Sequence, residues 1–241
     1  MKKHLSVWML LARATLLPFI GISAVCVGAQ YALFSFGLQT QGFLADKGLE
    51  NAFDHSFMPL AAAVGFVLAL FVLSCGCGAA ALRTDNTIRR LRISHNAFCG
   101  WHAVHTGACL LVFWAVQLAA ALAFAAMYQK RFDPLGTQTV FLAFWRQSWL
   151  HSLLPVLDPL RWVRNLLLAA ALALASADLA RRLRGGERGY WLPVLAAAVL
   201  SMFKGDPDGL LQDIVLLLLS VTAIGCILVR WLGEGTENEE D

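Results

Sequence analysis

The side chains best suited to chemistry are concentrated between Arg83 and Gly107. Cys99, His102 and His105 stand three residues apart, a spacing that can turn a thiol and two imidazoles towards one side of a helix. His95 is the nearby candidate for a fourth metal ligand. In the alternative interpretation, these histidines lie on a helix surface near anionic headgroups, since short motifs often match by chance. We therefore assign no metal ligand and no catalytic residue to this stretch.

Patterns typical of nucleotide hydrolysis and of hydrolases are missing from the sequence. It contains no GxxxxGK[ST], GxSxG or HExxH motif and no paired CxxC. The stretch Gly185–Gly189 is rich in glycine but lacks the lysine and the spacing of a P-loop. Haem held between helices needs a histidine within each of two spans, whereas the histidines here lie mostly at segment ends. The chain is predicted to be neither an enzyme nor the holder of a cofactor.

The composition indicates which solvent surrounds the chain. Of its 241 residues, 59% are hydrophobic and 15% charged, and the mean hydropathy is +0.64. A soluble domain of this length cannot bury so much apolar surface, so the sequence predicts a protein embedded in lipid. The basic residues form short clusters beside apolar runs, which argues against nucleic-acid binding. The six cysteines lie in or beside apolar segments and are predicted to pack rather than to form disulfides.

The apolar segments predict an all-α, polytopic membrane bundle of about six transmembrane helices. Two of the segments are shorter than the ~17–25 residues that a span needs, so they either cross by recruiting flanking residues or penetrate partway. An amphipathic helix lying on the membrane is predicted over 3–15 and an interfacial helix over 139–157, with Trp145 and Trp149 at headgroup level. Residues 1–232 form a single domain, followed by an acidic, disordered tail over 233–241. The predicted spans are 16–36, 58–82, 107–128, 165–177, 189–203 and 210–231, of which 165–177 and 189–203 are the short ones.

The distribution of Lys and Arg predicts the orientation of the bundle. Most of these residues fall in the N-terminal segment and in two clusters, 83–92 and 181–188, which a six-span arrangement places on one side. Basic loops stay in the cytoplasm, so both termini are predicted to be cytoplasmic and the protein to lie in the cell membrane.

The first basic cluster carries a helical pattern as well as charge. Leu91 and Phe98 recur at helical spacing, and Ser94 is a plausible N-cap. A short cytoplasmic helix between two spans can transmit force from a soluble partner. In the alternative interpretation, it is an anchor that lies in the headgroup plane and fixes topology.

Two segments resemble those of ABC-2-type permeases, the membrane subunits of ATP-binding-cassette transporters. Residues 87–95, TIRRLRISH, are similar to the family's cytoplasmic coupling helix, and residues 181–189, RRLRGGERG, are similar to an Arg-rich stretch of some members. The resemblance implies a permease subunit that docks on a separate ATPase, which holds ATP and Mg²⁺, and that pairs with a second permease subunit in a homodimer or heterodimer. It implies partner docking, not catalysis, for Arg89, Arg90, Leu91, Arg92, Ser94 and Phe98.

Two other functions remain open from the sequence. The chain could be a non-transport membrane subunit that scaffolds a larger complex, in which case no ATPase would co-purify with it. It could also be a metal- or haem-binding membrane protein, which the colour of the purified protein would reveal.

Overall fold

The computed structural model describes residues 2–40, 49–79, 95–132, 137–185, 189–202 and 209–237. These residues form α-helices and no strand. In chain order the helices are α1 (Lys2–Thr40), α2 (Leu49–His55), α3 (Met58–Ala79), α4 (His95–Phe132), α5 (Thr137–Arg146), α6 (Ser148–Leu153), α7 (Pro159–Gly185), α8 (Trp191–Ser201) and α9 (Leu210–Glu237).

Five of these helices are long and apolar enough to cross a bilayer: α1, α3, α4, α7 and α9. Their outer surfaces carry large apolar side chains, such as Leu17, Val25 and Val229, that are mostly exposed in the isolated chain. In water such surfaces would be unfavourable, whereas in a bilayer they contact lipid tails. The predicted all-α membrane bundle is confirmed, and α8 adds a shorter apolar helix to the five.

The predicted surface helix 3–15 and the predicted span 16–36 form one continuous helix, α1. Good helix formers connect the two segments, and Pro18 lies inside α1 without ending it. Near its start, one face of α1 packs on the bundle, since Val7 and Leu11 are buried, whereas Met9 on another face is 65% exposed. The first turns of α1 are therefore packed on the protein, which differs from the expected helix lying flat on the membrane.

The two short predicted spans become elements of very different length. Residues 165–177 lie within α7, whose 27 residues extend over about 40 Å, longer than the ~30 Å hydrocarbon core. Residues 189–203 contain α8, whose 11 residues extend over only about 16 Å. The predicted short span 165–177 is lengthened because α7 begins earlier in the chain and includes Arg161, Trp162 and Arg164.

Contacts along α7 and α9 show that the two helices run in the same direction. Near their starts, Arg164 contacts Asp213, and near their ends the Trp231 indole donates to Asp178 at 3.4 Å. Two consecutive long helices that are parallel require the chain to return between them, and α8 provides that return. The short helix thus takes the place of a crossing, consistent with about six passes.

The first helix begins and the last helix ends at the same end of the bundle. Val7 of α1 packs with Phe98 of α4, and Asn96 of α4 donates to the carbonyl of Trp231 in α9 at 3.4 Å. We call this the basic end, because the basic segment 80–94 joins α3 to α4 there, and we call the other the far end. Which end faces the cytoplasm stays a prediction.

The segment predicted as one interfacial helix forms two short helices, α5 and α6. Trp145 is exposed on α5, as expected for headgroup level, but Trp149 on α6 is 1% exposed. Its ring lies 6.1 Å from that of Phe53, in a core that α2, α6 and the second half of α4 share. At the C-terminal end, α9 continues as a helix through Glu237, while 238–241 lie outside the described residues, so the disordered tail stays a prediction.

Residues 190 and 209 test the return of the chain through α8. A membrane-impermeant maleimide should label Tyr190→Cys and Gly209→Cys from opposite sides of sealed vesicles, because α8 lies between them in the chain. Labelling is measured against the wild type, whose own cysteines give the background. Labelling of both variants from the same side would mean that α8 does not return the chain across the bundle.

The contact between α1 and α3 depends on Gly65. A methyl group at this position would lie 2.5 Å from the Cys26 sulfur and 2.9 Å from its Cβ. Gly65→Ala should therefore force the helices apart and lower the melting temperature in detergent. Gly28→Ala is the matched control, since a methyl group there meets nothing within 4 Å and alanine favours a helix. Equal melting temperatures for the two variants would contradict this close contact.

Candidate functional site

A buried cluster of charged side chains lies where α7 and α9 begin, at the far end. Asp213 is 4% exposed and contacts both Arg161 and Arg164, which are 7% and 3% exposed. Arg161 Nε donates to Asp213 Oδ2 at 2.8 Å, and Arg164 Nη1 donates to Asp213 Oδ1. Ionised groups at this depth are costly unless paired, so these contacts tie the two helix starts together.

Further polar groups balance the charge of this cluster. Asp158, whose side chain is partly exposed, contacts Arg161 Nε at 3.2 Å, so two carboxylates face two guanidinium groups. Arg164 also donates to the Asn165 Oδ1, and Asn165 Nδ2 donates to the Ser152 carbonyl at 2.8 Å. The cluster is therefore electrically balanced and joins α6 to α7.

The surroundings of a nearby histidine favour its neutral form. His151 lies on α6, outside the candidate spans, and its Nδ1 donates to the Phe144 carbonyl at 3.2 Å. Burial, together with the positive charge of Arg161, lowers the pKa of His151. A neutral ring avoids adding a third cation beside the two arginines.

A cavity of about 120 Å³ lies beside the cluster, enclosed by α3, α4, α6, α7 and α8 and partly open. Its wall is almost wholly apolar. The polar residues that reach it are Gln117 on α4, Ser152 on α6 and Asn165 on α7. The other lining residues are Ala62, Phe66, Leu110, Phe113, Trp114, Trp149, Leu153, Leu168, Ala169, Leu172, Val199 and Met202.

Gln117 also belongs to a chain of hydrogen bonds within the bundle. Gln30 Nε2 donates to Gln117 Oε1 at 2.7 Å, and Gln117 Nε2 donates to the Cys26 sulfur at 3.5 Å. The Cys26 thiol donates in turn to the Ala61 carbonyl at 3.4 Å. Hydrogen bonds between helices inside a membrane satisfy polar groups that lipid cannot, so this chain links α1, α3 and α4.

The structure describes only one of the six predicted docking residues. Arg89, Arg90, Leu91, Arg92 and Ser94 lie in 80–94, outside the described residues. Phe98 is 2% exposed and packs with Val7 and Leu11 at the start of α1. It was expected to face a partner, but its side chain fills a small core within the chain, because the first turns of α1 cover it.

The Cys-x2-His-x2-His residues face different neighbours. His102 Nε2 donates to the Leu73 carbonyl of α3 at 3.1 Å. The Thr15 hydroxyl donates to the Leu11 carbonyl, so His105 Nε2 donates to Thr15 Oγ1 at 2.9 Å. Among the residues that the structure describes, no group of three potential metal ligands comes together. Cys99 is buried in the apolar core, and the two imidazoles serve as hydrogen-bonding links to α3 and α1.

Asp178 forms an ion pair within α7 and further contacts with α9. Arg182 Nε lies 2.8 Å from Asp178 Oδ2, one helical turn away, and Arg230 of α9 approaches to 3.9 Å. Asp178 is 2% exposed and also accepts a hydrogen bond from Trp231, so the pair is buried between two helices.

Sequence reasoning missed Asp213 and its pairing with Arg161 and Arg164. The sequence does contain a signal for this pairing. Asp213 is the acidic residue in the first turn of a long apolar helix, where an ionised side chain needs a partner of opposite charge. Two arginines three residues apart at the start of another apolar helix are suitable partners.

Comparison with known proteins gives no relative for this chain. No protein-family model, curated protein or solved structure matches it. The resemblance to ABC-2-type permeases therefore depends on its two basic segments.

The buried cluster should be needed for stability. Asp213→Asn removes the carboxylate from two buried arginines and should cost about 3–5 kcal/mol, as for other buried pairs broken on one side. Asp158→Asn is the matched control, because its side chain is 34% exposed and such pairs contribute at most about 1 kcal/mol. Thermal unfolding in detergent compares the two. A similar loss of melting temperature in both variants would show that Asp213 does not hold the cluster.

Proposed function

We propose that this chain is the permease subunit of an ABC transporter, in which a separate ATPase subunit binds ATP and Mg²⁺ and docks on the basic segment 80–94. The single observation that carries the proposal is that the start of α4, which directly follows this segment, is packed tightly against the start of α1. A docking element can move a permease only if it is attached to helices that move with it.

The anchor is formed by the starts of α1 and α4. Phe98, four residues after the end of the segment, packs with Val7 and Leu11. Trp8 packs edge-on against both Trp101 and His105, with ring centroids 6.0 and 5.3 Å apart. A force applied to 80–94 would therefore be passed to α1 and α4 together.

The position of the second basic segment also supports a docking face. Arg181 and Arg182 lie near the end of α7, and the ends of α7 and α9 meet at Asp178. The α9 end in turn contacts Asn96 at the start of α4. The helix ends that flank the two basic segments thus lie at the basic end, where one soluble partner could reach both segments.

Transport in this proposal requires a second permease subunit. The cavity beside Asn165 is small and, within the described ranges, does not extend past Leu110 and Leu172 towards the basic end. A substrate path would therefore run between two subunits. The same observation suits a non-transport subunit that scaffolds a larger complex, so the experiment must separate the two functions.

Affinity purification from native membranes, followed by mass spectrometry, tests the proposal. An ABC ATPase should co-purify with the wild type. Leu91→Asp should lose it, because an apolar anchor of this kind contributes about 1.5–3 kcal/mol, which corresponds to roughly 10- to 100-fold weaker binding.

Arg146→Glu is the control at the far end, where the exposed side chain makes a long contact of 3.8 Å with Glu50. It should keep the ATPase. Phe98→Asp is unsuitable as a docking variant, because it would disrupt the core between α1 and α4. Co-purification of other membrane proteins without any ATPase would favour the scaffold function and overturn the permease proposal.

A further inference from the structure

The cavity beside Asn165 has a wall that no described side chain covers. Apolar side chains that face empty space lose the dispersion contacts of a packed interior, and water does not replace them in an apolar cavity. Phe113, Leu168 and Leu172 line this space. The free energy of the bundle would fall if a matching apolar group filled it.

The surroundings of the cavity indicate the chemistry of that group. Three of the helices that enclose it, α3, α4 and α7, are candidate spans, so hydrocarbon surrounds this part of the molecule. The wall reaches from Asn165 to Leu172 along α7, about 10 Å at 1.5 Å per residue. A volume of about 120 Å³ is close to that of engineered cavities that hold one benzene molecule. These dimensions suit the end of one acyl chain and exclude a whole lipid.

Polar and aromatic groups mark the far-end side of the cavity. Asn165 and Ser152 stand there, and Asn165 accepts hydrogen bonds from Arg164 of the charged cluster. The Trp114 ring of the wall lies 5.5 Å from that of Trp162, whose indole donates to the Pro155 carbonyl. Tryptophan is typical of the interface between hydrocarbon and headgroups.

We propose that the cavity beside Asn165 holds the end of an acyl chain of a bilayer phospholipid, with the headgroup outside at the level of the charged cluster. The cluster is electrically balanced, so recognition depends on the chain and not on the headgroup charge. The proposal is independent of ATPase docking, which concerns the opposite end of the bundle.

Photo-crosslinking tests this site in the full chain, reconstituted in vesicles of phosphatidylethanolamine and phosphatidylglycerol. The probe is a small fraction of phosphatidylcholine with a diazirine near the end of one acyl chain. Peptide mass spectrometry should find label on Phe113, Leu168 or Leu172 of the wild type. Label confined to lipid-facing side chains such as Leu166 or Val229 would overturn the proposal.

Two neighbouring alanines give a matched pair of variants. Ala169 lines the cavity, whereas Ala170 is exposed on the outer face of the same helix. Ala169→Phe should fill the cavity and abolish its labelling, while Ala170→Phe should retain it. Ala169→Leu serves if the larger side chain prevents folding, and Leu172→Ala, which widens the cavity, should keep or increase the label. If a folded Ala169 variant still shows cavity labelling at the wild-type level, the label does not come from an acyl chain inside the cavity, and the proposal is overturned.

Discussion

The pairing of buried charges along α7 is the constraint on which the rest of the bundle depends. Near its start, Arg161 and Arg164 share Asp213 of α9, and near its end Asp178 binds Arg182 and Trp231. About 26 Å of helix separates Arg161 from Asp178, nearly the thickness of a hydrocarbon core. Because an unpaired charge at either end would be costly, the two helices can adopt only one relative direction and register. That direction makes α8 the returning segment, and the enclosure of the cavity follows.

A second set of polar contacts joins α4 to α1. His105 donates to Thr15 near the basic end, and Gln30 donates to Gln117 about 12 residues further along α4. Individual hydrogen bonds of this kind contribute on average about 0.6 kcal/mol in membranes, so their value lies in fixing register. The 38 residues of α4 extend over about 57 Å and connect the basic end to the small far-end core of α2, α5 and α6. A displacement of α4 at the basic end would therefore be transmitted to the far end through α4 and the bonded helix α1.

The cavity lies between the α1–α4 pair and the α7–α9 pair. Phe113 belongs to α4, and Leu168 to α7, so whatever fills the space contacts both the hydrogen-bonded pair and the charge-paired helices. Close packing elsewhere, such as Gly65 against Cys26, leaves little freedom at that contact. The proposed acyl chain would complete the packing at a place where the described helix side chains leave it incomplete.

The sequence by itself determined the solvent and the class of fold, because long apolar runs can exist only as helices in lipid. It also contains the signal for the Asp178–Arg182 pair, since that contact spans one turn of a single helix. Only the tertiary structure decided the partners that are distant in sequence: Asp213 with Arg161 and Arg164, and Phe98 with Val7. It likewise decided that Trp149 is buried and that α8 returns the chain. Local patterns specify helices and neighbours one turn apart, whereas the face that each helix turns to the others depends on packing among all of them, which periodicity does not encode.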